Sequence, residues 1–254
     1  MTLYELDAFM SDWAKPSYSM SWDNDGVMLD CGDKREINRV AVALEINETV
    51  LNGAAAFGAE VIVTHHPFVF HPLKSIRGVA GGYIRELMQN GISVLSYHTR
   101  LDCALGGVND TLVARLGLSD VKPFGEGEMP LGRVGTLPRA MEENELAEHV
   151  RSALSCGVMR CACVGKTNIR RVAVVGGGGK DELFEASRVA DAFVTADLSH
   201  NAFITAKELS LFALDAGHYH TENPVIFTVA ERLRRAFPSL AVETIDSRCP
   251  FTLL

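Results

Sequence analysis

Val61-Ile62-Val63-Thr64-His65-His66-Pro67 is a short β-branched apolar run that stops at two adjacent histidines and a proline. A run of this length bounded by a breaker reads as a strand covered on both faces. It therefore delivers two imidazoles at the carboxyl end of a buried strand, the place where open α/β sheets collect their ligands. Successive side chains leave a strand on opposite sides, so the twin histidines suit two neighbouring ions better than one.

Working outward, Arg39 to Leu44 reads as a strand and about residues 48 to 57 as a helix leading into the central run. A helix near residues 82 to 89 and a strand from Ile92 to Ser96 follow it. Alternation of this kind implies a parallel sheet with helical crossovers. Upstream, Thr2 with Glu5 three residues on is a capping-box signal, and Leu3, Leu6, Phe9, Met10 and Trp13 recur at helical spacing, which predicts a helix over about residues 3 to 14. Residues 122 to 133, with three glycines and two prolines, read as a connection.

Beyond it the plan returns. Arg171-Val172-Ala173-Val174 repeats Arg39-Val40-Ala41-Val42, and Ala190-Asp191-Ala192-Phe193-Val194-Thr195 echoes Ala59-Glu60-Val61-Ile62-Val63-Thr64. The expected fold is α/β: two related three-layer halves, residues 1–126 and 127–254, with mostly parallel sheets and a metal site between them. The last helix and strand are expected to pack back on the first half. The run Gly176-Gly177-Gly178-Gly179-Lys180 lacks the spacing and the Ser/Thr of a phosphate-binding loop and reads as a sharp strand-to-helix turn.

Twenty-four Lys and Arg against 32 Asp and Glu give a formal charge of -8, which argues against a wide nucleic-acid footprint. No apolar run approaches the ~18 residues that span a bilayer, and the N-terminus lacks a signal-peptide pattern. A cytoplasmic protein is expected, with no membrane partner. Its six scattered cysteines then read as free, mostly buried thiols; Cys156, Cys161 and Cys163 match no zinc-ribbon spacing.

Four expected strand ends carry polar groups: His65-His66, His98 to Asp102, Asp197 to His200, and Asp215 to Glu222. His218 and Glu222 are four apart, so in a helix they project from one face. Imidazole with carboxylate suits zinc, iron, manganese or nickel. A two-metal centre, with ions ~3.5–4 Å apart, activates water and clamps a developing oxyanion.

The blocks Ser21-Trp22-Asp23-Asn24-Asp25-Gly26, Thr64-His65-His66-Pro67 with Pro72-Leu73-Lys74, His98-Thr99-Arg100-Leu101-Asp102, Gly106-Gly107-Val108-Asn109-Asp110 and Asp215-Ala216-Gly217-His218-Tyr219 with Thr221-Glu222 together carry a resemblance. From about residue 20 onward the chain resembles the dinuclear-metal-centre hexameric proteins, often labelled GTP cyclohydrolase type 2-like or NGG-interacting-factor-like. The resemblance implies His65, His66, Asp102, His218 and Glu222 as ligands of two divalent ions. Glu222 would bridge, His66 and Asp102 would complete one ion, and His65 with His218 the other. It implies a site-lining His98 able to move protons, and a toroidal homohexamer. The chain departs from that family at Ser199-His200-Asn201, where a second histidine pair is usual, and at Asp25 and Arg100, where an apolar residue and Asn are common.

The first functional reading is a metal-dependent hydrolase acting on a small molecule, with GTP suggested by the family label alone. The alternative is a non-enzymatic metal-binding scaffold or regulatory interaction protein. A nucleotide-binding module built on the tetraglycine turn is a third.

Overall fold

The computed structural model describes residues 1–32, 35–125 and 130–252, and the chain divides into two compact units. The first comprises Met1–Ala104 with Val225–Arg248, the second Leu105–Pro224 with Cys249–Leu254. The division expected between residues 126 and 127 lies outside the described residues.

In the first unit, α1 (Leu3–Trp13) begins with the capping box read from the sequence: Glu5 N–H donates to Thr2 Oγ1 and Thr2 N–H to the Glu5 carboxylate. It is followed by β1 (Gly26–Leu29), β2 (Arg39–Ala43), α2 (Glu48–Phe57), β3 (Val61–Thr64), α3 (Gly78–Asn90), β4 (Ser93–Ser96) and the short α4 (Thr99–Cys103).

In the second unit the order is α5 (Val108–Arg115), β5 (Ser119–Phe124), β6 (Gly132–Met141), α6 (Glu143–Leu154), β7 (Arg160–Ala162), β8 (Ile169–Gly178), α7 (Leu183–Val189), β9 (Ala192–Ala196), α8 (His200–Glu208), β10 (Phe212–Asp215) and the short α9 (His218–Glu222). The chain then returns to the first unit as α10 (Val225–Ala236) and β11 (Ala241–Thr244). No helix among the described residues is long and apolar enough to cross a membrane.

The first unit's sheet has the order β1-β4-β3-β2-β11; β1 runs antiparallel to β4 and the other pairings are parallel. Alternate residues face opposite layers. Ala41, Ala43, Ile62 and Val94 pack with Val50, Leu51 and Ala54 of α2 and Leu87 of α3. On the helical layer of α1 and α10, Phe9 meets Phe237 edge to face at 4.8 Å and Arg232 lies 4.4 Å over the Trp13 ring. Cover on both faces is why β3 is a continuous apolar run.

The second sheet has the order β5-β6-β8-β9-β10-β7, parallel only through β8, β9 and β10. Both sheets are thus mixed, and the second more so than the strand vocabulary implied. Val172, Val174, Val194 and Leu214 pack with α5 and α6, while Ala173, Val175, Phe193 and Ala213 face α7 and α8. The expected connection at 122–133 holds parts of β5 and β6 instead, for β5 is an exposed edge strand that carries Pro123.

The repeated sequence is a repeated set of hydrogen bonds. Glu60 accepts from the amides of Asn38 and Arg39 with one carboxylate oxygen, and Asp191 accepts likewise from Arg170 and Arg171. Arg39 Nε donates to Gly58 O at 2.9 Å; Arg171 Nε donates to Val189 O at 2.8 Å. Tyr97 N–H donates to Thr64 O as Ala216 N–H does to Thr195 O. Each unit therefore ends its second and third parallel strands in the same way, and each third strand runs on into a five-residue helix, α4 or α9.

Candidate metal centre

In the first unit both the His65 and His66 amides donate to Leu44 O at the end of β2, which fixes the turn as β3 stops. The His65 ring is buried and its Nδ1 lies 3.0 Å from Tyr97 O. The half-buried His66 has Nδ1 2.9 Å from a Glu45 carboxylate oxygen. His65 Nε2 stands 3.7 Å from Asp102 Oδ1 on α4. The His98 ring lies 5.3 Å from that of His65 and 5.9 Å from that of His66, centroid to centroid.

His98 in turn has Nδ1 2.8 Å from Asp23 Oδ1. The other oxygen of Asp23 accepts from Thr99 N–H and Thr99 Oγ1. Burial would raise the Asp23 carboxyl, but the hydrogen bonds from His98 and Thr99 outweigh it and hold the group well below the usual carboxylate range.

In the second unit α9 carries His218 and Glu222 on one face, with His218 Nε2 2.9 Å from Glu222 Oε2. His218 Nδ1 is 2.6 Å from Asp197 Oδ2. Asp197 adopts a left-handed φ of 55° just after β9, a conformation that Asp tolerates better than most residues.

Glu222 is buried against the tetraglycine segment. That segment is not the sharp turn expected: β8 runs on to Gly178, pairs with Ala196 and absorbs a register shift after Val174. Gly177, at φ +63°, makes the bulge, and Thr195 Oγ1 accepts from Gly179 N–H while donating to Gly177 O. A Cβ at Gly177 would stand 2.1 Å from Glu222 Oε1. The glycines make room for a carboxylate and are spoken for by protein partners.

In all four histidines Nδ1 faces an oxygen, a backbone carbonyl once and a carboxylate three times. At His65, His66 and His98 an acceptor at Nδ1 fixes the proton there and leaves the lone pair on Nε2, which is how ligating histidines are held; His218 differs, with a carboxylate oxygen at each ring nitrogen, Asp197 Oδ2 at Nδ1 and Glu222 Oε2 at Nε2. His65 and His66 in the first unit offer two imidazole nitrogens, and Glu222 in the second a carboxylate, donor types that could hold a metal ion. Two imidazoles and a carboxylate match borderline divalent ions.

Among the cysteines, burial, and then the neighbouring Cys163, push the Cys161 thiol up to about 11.

Ser199 caps α8 by accepting from Ala202 N–H, and His200 beside it is exposed. The two other departures from the expected family pattern touch: Arg100 Nε is 3.2 Å from Asp25 Oδ1, both side chains being buried. Arg100 also lies 4.4 Å over the Tyr97 ring and 3.9 Å from Asp7.

Glu45 escaped the reading of the sequence. The available signal was a lone carboxylate directly after the strand that neighbours β3. Asp23 stands in the sequence within the block Ser21 to Gly26, which does not announce its bond to His98, and Asp197 stands at a strand end without any sign of its task of holding His218.

A profile of the family described as Duf34/NIF3 (NGG1p interacting factor 3) matches residues 1–250. A protein of Clostridium perfringens named GTP cyclohydrolase 1 type 2 homolog is 34% identical over 259 residues, with 98% of this chain and 97% of the other covered. A Nostoc protein of the same name is 33% identical, with 92% of each chain covered. Among solved structures, reduced HcgD from Methanocaldococcus jannaschii is similar at a TM-score of 0.84 and 27% identity, covering 96% and 98% of the two chains. A Bacillus cereus protein related to NIF3 shares the fold at a TM-score of 0.89 and 22% identity, covering 100% and 99%.

Proposed function

The chain belongs to the Duf34/NIF3 family, and from that premise we propose that it is a hydrolase working with two divalent ions held by His65, His66, Asp102, His218 and Glu222. The observation that carries the proposal is the common anchoring of the histidine Nδ1 atoms, which leaves Nε2 as the ligand atom at His65 and His66, with His218 held between Asp197 and Glu222. Zinc, iron, manganese or nickel all fit these donors. When bound, such ions lower the pKa of water and polarise an electrophilic carbon or phosphorus centre.

The chain's own part is orientation and proton transfer. Glu45, Tyr97 O and Asp197 lock the ring planes of His66, His65 and His218. The Asp23 carboxylate keeps the proton of neutral His98 on Nδ1, leaving Nε2 free to take a proton from water and to pass it to a leaving group. The substrate we propose is a nucleotide-sized small molecule, in keeping with the name printed for the Clostridium relative.

The test is elemental analysis of protein isolated without added metal, followed by turnover of a nucleotide panel by wild type, Glu222→Ala and His98→Ala. The proposal expects about two ions per chain, loss of metal and turnover in Glu222→Ala, and retained metal with turnover slowed ~100-fold in His98→Ala. Stoichiometric metal without any turnover sensitive to Glu222 would favour the scaffold reading instead. The exposed Leu73, Ile76, Val79 and Met88, close together in sequence, would support that second reading if they form one patch, since a contiguous exposed apolar patch suits a protein interface. The same patch would support the proposed homohexamer.

A further inference from the structure

We infer that Trp22, with Phe70 and His98, forms a stacking subsite for the planar heteroaromatic ring of a nucleobase-like ligand. Trp22 is 62% exposed and Phe70 38% exposed. Their ring centroids are 6.1 Å apart at a 55° tilt, and each lies within 6.2 Å of the His98 ring.

Trp22 occupies the tip of a turn closed by Asp23 N–H donating to Met20 O, a position that turn chemistry gives to small polar residues. The turn is also clamped. Met20 N–H donates to Thr99 Oγ1, which donates to Asp23, and Asn24 Nδ2 donates to Val69 O, tying the Trp22 loop to the Phe70 loop. A large ring held rigidly in water is a preorganised platform. The half-buried imidazole of His98 stands beside it, and a ligand with a ring and polar arms meets both the aromatic faces and the imidazole. Stacking reads a π-face and not a hydrogen-bond pattern, so the subsite selects flat rings without selecting guanine.

The inference rests on the hydrolase reading only in placing the reacting atoms beyond His98; stacking itself requires no ion. The test titrates full-length protein, metal-free and zinc-loaded, with GMP, CMP and ribose 5-phosphate. Tryptophan emission, calorimetric affinity and native mass are followed for wild type, Trp22→Tyr and Trp22→Leu.

Both nucleotides are expected to quench emission, with ribose 5-phosphate leaving it unchanged. Trp22→Leu should weaken GMP ten- to a hundred-fold, about the value of one stacked base, and Trp22→Tyr should restore most of the affinity. Unchanged GMP affinity in Trp22→Leu, or ribose 5-phosphate binding as tightly as GMP, would overturn the subsite. A fall in native mass with unchanged affinity would also overturn it and would assign Trp22 to a contact between copies. Failure of wild type to take up zinc, with quenching intact, would remove the hydrolase reading and leave the subsite standing.

Discussion

At the scale of the residue, Gly177 carries the sharpest prediction. Gly177→Ala must place a methyl 2.1 Å from Glu222 Oε1 and hold φ at +63°, at a cost of about 1–2 kcal/mol from the backbone alone. Glu222 is expected to be displaced, so metal content should fall while circular dichroism stays native. The buried Arg100–Asp25 pair gives a second. Arg100→Asn alone strands the Asp25 carboxylate, at about 3–5 kcal/mol, Asp25→Leu alone costs less because Arg100 keeps Asp7 at 3.9 Å, and the double variant should recover most of the loss in urea unfolding; additive losses would show that the two are not coupled. A third concerns pH. The Asp23 carboxyl is held below its ordinary value of 3.8, so its contribution to stability is complete above that value and is lost as pH falls toward the folded-state value. The stability gap between wild type and Asp23→Asn should accordingly be constant near neutrality and shrink in acid below about pH 4. The histidine pair His65-His66 was legible because a strand end announces it, and the rest of the candidate ligand set came from the family resemblance. The residues that orient them were not, since Glu45 and Asp23 are single carboxylates whose partners lie 21 and 75 positions away.

At the scale of the element, the sequence was readable wherever local chemistry and packing agree. Thr2 and Glu5 cap α1 as their spacing announces, and Thr2→Ala should lower stability by about 1 kcal/mol in thermal or chemical unfolding. The strands β3 and β9, and the buried parts of β2 and β8 that follow Arg39 and Arg171, are continuous runs of buried residues because helices cover both faces. By contrast, β1 is a four-residue strand of half-buried residues defined by its antiparallel partner β4. Likewise β5 is almost wholly exposed and exists through its pairing with β6. Long-range pairing of this kind leaves no periodicity to detect. The glycine run misled for a related reason: what it accommodates is a carboxylate 45 residues downstream, Glu222 opposite Gly177.

At the scale of the whole molecule, the second unit is almost wholly an insertion within the first. Residues 105–224 are expected to fold alone, with native circular dichroism and cooperative melting. Residues 1–104 alone leave β2 without β11 and its sheet without α10, and should aggregate, because an uncovered apolar strand is an open edge. Soluble, cooperatively melting 1–104 would refute this. The duplication was legible from Arg39-Val40-Ala41-Val42 and its echo at Arg171, since the same carboxylate and arginine bonds are made twice. The strand that closes the first sheet has consequences in time as well as in space. On the ribosome, about 140 residues separate Ala104 from Thr244, so at cellular elongation rates the nascent N-terminal sheet waits roughly 7–28 s for its last strand. The newborn chain is therefore a natural client for chaperones, and a premature stop between residues 105 and 240 yields a product with an unprotected rim.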